Sequence, residues 1–180
     1  AEEFKERLEM EMITNYFSSS FADKKNIDEV LWDVASNLGK WMKYLNCAIY
    51  SWNEDKSKMI KKAGYGPKGK SEATAANLNN FTDGSGVVGY VLQTREPILI
   101  SDTRLDNRYH QYENSPLSEI CVPIIHDGEL IGVIDSEHPE PNYYKERELK
   151  ILSTIAALVG NKIKQVEAEQ NLNAKRYELA

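Results

Sequence analysis

Two hydrophobic periods alternate along the chain and divide it into helices and strands. From Glu2 to Phe21, apolar residues fall at Phe4, Leu8 and Met12, with Met10, Ile13 and Phe17 in the adjoining stripe; this spacing predicts an entry helix. Ser18–Ser20 and Asp23–Asn26 interrupt it. Asn26, with Glu29 three residues on, makes an N-cap for a second helix. Its apolar face is Ile27, Val30, Leu31, Val34, Leu38, Trp41, Met42 and Leu45, a match to the 3.6-residue period.

The period then changes. Cys47–Trp52 reads as a strand, Asn53–Lys56 as a turn and Lys58–Ala63 as an edge strand blunted by lysines. Gly64–Asn80 is polar and broken, which predicts a loop able to cover a pocket. Val87–Thr94 reads as a short helix entered through Gly84 and Gly86, Pro97–Ile100 as a brief strand, and Ser101–Pro116 as a loop of surface or site chemistry. Ser118–Ile125 and Glu129–Glu137 flank His126-Asp127-Gly128, a tight-hairpin signal. From Tyr144 the pattern is helical to the end. Leu149, Leu152, Ala156, Val159, Ile163 and Val166 alternate steps of three and four residues, a heptad seam that predicts pairing with a second copy. Gln170 and Asn173 continue that register as polar core positions.

Composition narrows the classes. The 180 residues suit one domain with helical extensions, and the 41% hydrophobic and 28% charged fractions are those of an ordinary folded domain. A formal net charge of −6, with basic residues scattered among acidic ones, removes the electrostatic footprint for nucleic acid or anionic lipid. Two cysteines inside apolar strands, Cys47 and Cys121, read as reduced thiols. There is no apolar stretch of about 20 residues and no signal peptide, so a cytoplasmic location and no membrane contact are expected. Both ends lie inside helical patterns with no stop signal, which leads us to expect a piece of a longer protein.

Candidate chemistry is sparse. Gly64–Gly69 and Gly84–Gly89 both match Gly-x-Gly-x-x-Gly. Pro67 breaks the first, and the second opens a helix too short for a dinucleotide crossover. The backbone N–H groups at the second remain able to hold an anionic ligand group, or its glycines serve only a tight turn. Asp135 and Glu137 share one sheet face. With Glu119 on a neighbouring strand, three carboxylates converge, suited to an ammonium, an amide or a cation; alternatively they sit at strand ends in water. Tyr109, His110, Tyr112 and Arg108 either close over a ligand or are ordinary loop residues, and Asp102 with Arg104 offers a clamp. His110, His126 and His138 lack metal-ligand spacing, so no metal is expected.

The strings Gly84-Ser-Gly-Val-Val-Gly89, Glu96-Pro-Ile-Leu-Ile-Ser-Asp102, Ser118-Glu-Ile-Cys-Val-Pro-Ile-Ile125 and Gly128-Glu-Leu-Ile-Gly-Val-Ile-Asp135, in this order of elements, resemble the GAF domain. The resemblance covers about residues 26–164, leaving 1–25 as an N-terminal linker or dimerisation helix and 165–180 as the start of a coiled-coil linker. It implies an α+β fold, a GAF/PAS-like central antiparallel sheet with helices on one face, a ligand pocket on the other, and long helices at both ends. It assigns ligand contacts to Glu119, Cys121, Asp135, Glu137, Tyr109, Asp102, Gly86 and Val88.

A sensor of an unidentified small molecule, feeding a C-terminal output domain such as a histidine kinase, is the implied function, with the cofactor unknown. Within the family, Glu119, Asp135 and Glu137 resemble the binding half of free methionine-R-sulfoxide reductase. The reactive half is missing: Val88 stands where the glycine turn of that enzyme has a cysteine, and the loop before Glu119 offers Tyr112. The strings associated with cyclic nucleotides and bilins in other GAF domains are also missing. A scaffold that dimerises without a ligand is the third reading.

Overall fold

Periodicity turns into packing along the whole chain. In the structure, a computed structural model, residues 1–43, 46–66 and 86–179 are described; Leu45, Gly84 and the predicted loop beyond Gly66 lie outside them. Helix α1 spans Glu2–Phe21 and α2 spans Ile27–Met42. The Asn26 side chain accepts the Glu29 N–H at 2.9 Å, which satisfies a donor that the first turn of α2 leaves open, and the Glu29 carboxylate accepts the N–H of Lys25 just before the helix.

Five strands follow: β1 (Cys47–Trp52), β2 (Met59–Tyr65), β3 (Ile98–Ile100), β4 (Ser118–His126) and β5 (Glu129–His138). Helix α3 (Gly86–Thr94) lies between β2 and β3, and α4 (Glu146–Glu178) closes the chain. The sheet has the order β2-β1-β5-β4-β3 with every pairing antiparallel. β2 reaches Tyr65, so Gly64, read from sequence as the start of a loop, pairs with Ala48 in the ladder.

Each strand alternates its side chains between two dissimilar layers. Cys47, Ile49, Ile120, Val122, Ile124 and Ile134 pack against α1, α2 and α4 in the larger core. Ala48, Tyr50, Cys121 and Val133 face the other way, beneath α3 through Val87, Val88 and Val91. The three longer helices thus cover the larger side of the sheet, and the short α3 lies over the other. On the larger side, the Tyr144 and Ser136 hydroxyls lie 2.7 Å apart in a buried pair, which gives the phenol a partner where none from water is available.

Two sequence expectations about the long helices change. Leu152, Ala156, Val159, Ile163 and Val166 of the heptad seam are all buried in the domain's own core, so the seam packs on the sheet of this chain and not on a second helix pair. Helices packed on a sheet and helices paired in a coil both favour apolar residues three and four apart. In α1 the inward stripe is Ile13, Phe17 and Phe21, whereas Phe4, Leu8 and Met12 are exposed. Glu9 pairs with Arg147, and Glu6 with Lys150 at 3.1 Å, so α1 is docked along α4. Among the described residues, no helix is long and apolar enough to cross a membrane.

Candidate functional site

The antiparallel register of β4 and β5 builds the site. Glu119 lies opposite Glu137, and Cys121 lies opposite Asp135, which in turn faces Ala48 on β1. Partners across a ladder project to the same face. Glu119, Cys121, Asp135 and Glu137 thus share the layer beneath α3. Glu119 is 3% exposed and Asp135 1%, while Glu137 is half-buried. One carboxylate oxygen from each lies within 4.8 Å of the others. Among the described residues, this is the one group of three or more acidic, histidine or cysteine side chains with such convergence.

Three carboxylates so close, two of them shielded from water, can share a cation or a hydrogen-bond donor placed between them. Their surroundings are apolar and aromatic. Cys121, Val133, Ala48 and Tyr50 form the floor, and α3 contributes Val87, Val88 and Val91. Tyr109 packs against the same cluster. Burial raises the pKa of its phenol above that of an ordinary tyrosine, helped by Tyr112 and by the charge of Glu119. Tyr112 stacks beside it, with ring centroids 6.4 Å apart. The phenol therefore stays protonated and close to the acidic group. An acidic centre with apolar and aromatic walls fits a ligand that carries a positively charged nitrogen on an apolar body.

Gly86 opens α3 with φ +69°, a left-handed conformation that glycine adopts without strain, and the His110 ring lies beside it. Val88, two residues further on, is buried in this layer. Asp102 does not join the carboxylates. It accepts the Arg104 N–H at 3.1 Å and both arms of the Arg104 guanidinium at 2.9 and 2.6 Å, which hold its pKa below the usual carboxylate value. Asp102 and Arg104 thus close a local turn.

The same Asp-x-Arg device recurs at Asp106 and Arg108, with the Arg108 guanidinium carbon 4.9 Å from the centre of the Tyr90 ring of α3. Arg108 thereby ties its own turn to the helix above the acidic group. The histidines are apart in role: His126 meets Asn161, and His138 stacks on Tyr143, with burial lowering its pKa below that of an ordinary imidazole.

The family model for the GAF domain matches residues 24–164. The chain belongs to the GAF family. Its fold is also that of solved structures at low identity. The free methionine-R-sulfoxide reductase of Neisseria meningitidis, in complex with its substrate, matches with TM-score 0.73 and 18% identity over 89% of this chain and 91% of that one. The GAF domain of a phosphoenolpyruvate-protein phosphotransferase from Coxiella burnetii gives 0.71 and 19% over 91% and 98%. Residues 122 to 287 of a methyl-accepting chemotaxis protein give 0.69 and 18% over 87% and 98%. No curated protein matches by sequence. The likeness of this GAF domain thus extends to domains of signalling proteins and to an enzyme that uses the same fold.

Proposed function

We propose that this GAF domain is the cytoplasmic ligand-sensing module of a multidomain signalling protein, a sensor histidine kinase, and that it binds a small molecule carrying an ammonium group. The observation that carries the reading is the buried convergence of Glu119, Asp135 and Glu137 opposite the helical core. Tyr109, Cys121, Val88 and Gly86 complete the ligand surface. Asp102 holds the adjoining loop in shape through Arg104. Placement of the output after α4 follows from the resemblance to sensors in which an exit helix of this kind feeds a kinase.

A thermal-shift screen of amines, amino acids, free methionine and methionine sulfoxide tests the site. A compound present at a hundredfold excess over its Kd adds about 2.7 kcal/mol to stability, roughly 5–10 °C in Tm for a domain of this size. Glu119→Gln removes that shift. Silence across all classes, or a shift that persists in the variant, refutes the ammonium reading.

An enzymatic reading draws on the fold shared with the sulfoxide reductase. The cysteines weigh against it: Cys121 faces the candidate site while Cys47 sits in the opposite layer, so the two thiols have no short route to a mutual disulfide.

We place the homodimer contact on the outward stripe of α1, Phe4, Leu8 and Met12, together with the exposed end of α4 around Leu172. Light scattering should give twice the chain mass for the wild type and the single mass for the Phe4→Glu/Leu8→Glu/Met12→Glu variant. A monomeric wild type eliminates the dimer.

A further inference from the structure

One short turn grips both the helix above the acidic group and the helix that leaves the domain. Arg95 ends α3 in a left-handed conformation, φ 61°, and its N–H closes on the Val91 carbonyl at 2.8 Å. From this fixed position its guanidinium donates to the Gly128 carbonyl at 2.7 Å. Gly128 and Asp127, at φ +76° and +48°, form the tip of the β4–β5 hairpin, where a two-residue turn with both φ positive matches the twist of its strands.

The other side of the turn holds α4 at three points within about one helical turn. His126 Nδ1 lies 2.8 Å from the Asn161 side-chain oxygen, a bond donated by the Nδ1–H tautomer. Glu129 accepts from Lys164 at 2.7 Å and from Lys56 of the β1–β2 turn at 3.3 Å. At Gly160 the helix comes so close to the Ile125 carbonyl that an added Cβ would lie 3.0 Å from the oxygen. Beyond Val166, which is buried, the last turns of α4 are exposed. The grip therefore acts where α4 passes from core element to free lever.

We propose that the β4–β5 turn, His126–Glu129, is a mechanical relay that transmits displacement of α3 to α4, with Arg95 as its input grip and Asn161 and Lys164 as its output grip. Its use in signalling rests on the sensor reading above; the coupling itself stands on these contacts alone. An isolated exposed ion pair contributes little. Here bonds from both helices converge on one stiff turn, so neither helix can shift without loading it. Such coupling is reciprocal: whatever α3 does to α4, α4 does to α3.

Amide hydrogen exchange on the full chain tests this without any ligand. Arg95→Ala should speed exchange at residues 160–164 about threefold to tenfold, the change made by one lost hydrogen bond of ordinary strength. Asn161→Ala should do the same at Val91–Thr94. Both are read relative to the core amides of β1, and Lys24→Ala, far from the turn, should change neither region. Unchanged exchange at 160–164 in Arg95→Ala overturns the relay, and so does uniform acceleration that includes β1. A failed ligand screen leaves it standing, because the measurement uses the apo chain.

Discussion

Gly132→Ala should cost the domain about 4 kcal/mol or more, an unusually large loss for one methyl group. Gly132 lies in β5, the central strand, opposite Ser51 of β1 and Ile124 of β4. A Cβ built there falls 2.2 Å from the Tyr50 carbonyl oxygen and 3.3 Å from its carbon. Both are backbone atoms held in a ladder, so no rotamer change relieves the overlap. The strands must part, and β1 already departs from regular register with β2 beside Tyr50. With a total stability of order 5–15 kcal/mol, the variant would be largely or wholly unfolded under mild denaturant. Urea unfolding followed by circular dichroism measures the change, and Gly39→Ala serves as the contrast. A Cβ at Gly39 meets nothing within 4 Å in α2, so that substitution should add up to about 1 kcal/mol through helix propensity. Equal midpoints for the two variants would remove the close-approach explanation.

Asp135→Asn is expected to move stability the opposite way while destroying binding. The change keeps shape and removes one of three carboxylates that lie within 4.8 Å of one another. Relieving that repulsion should stabilise the apo chain by about 1–2 kcal/mol, or roughly 2–8 °C in Tm. A gain in stability at the expense of function is the usual mark of a site that stores unfavourable electrostatics for a ligand to discharge. Thermal unfolding of the variant and wild type at neutral pH decides it. A fall in Tm would mean that the contacts Asp135 makes in the sheet outweigh the repulsion among the three carboxylates.

Most elements were readable from local pattern. The cap at Asn26, the Asp127–Gly128 turn and the strands on either side depend on residues close in sequence, and all appear where the spacing predicts. The acidic candidates were readable too, because period-two alternation puts Asp135 and Glu137 on one face whatever lies around them. Asp102 is a different case. A carboxylate two residues from an arginine serves equally as a ligand clamp or a turn brace, and only the bidentate contact with Arg104 distinguishes them.

The amino-acid pattern alone determined the kinds of element, their order and the family, because period, capping and turn chemistry are short-range properties. What each apolar stripe packs against was decided by the tertiary structure. The three-four seam of α4 lies on its own sheet, Ile13, Phe17 and Phe21 of α1 turn inward, and Phe4, Leu8 and Met12 turn out. Likewise, long-range register set Glu119 opposite Glu137 and brought Arg95 to the hairpin tip. Such pairings join residues far apart in the chain, and the burial and ladder energies that select them belong to the assembled core.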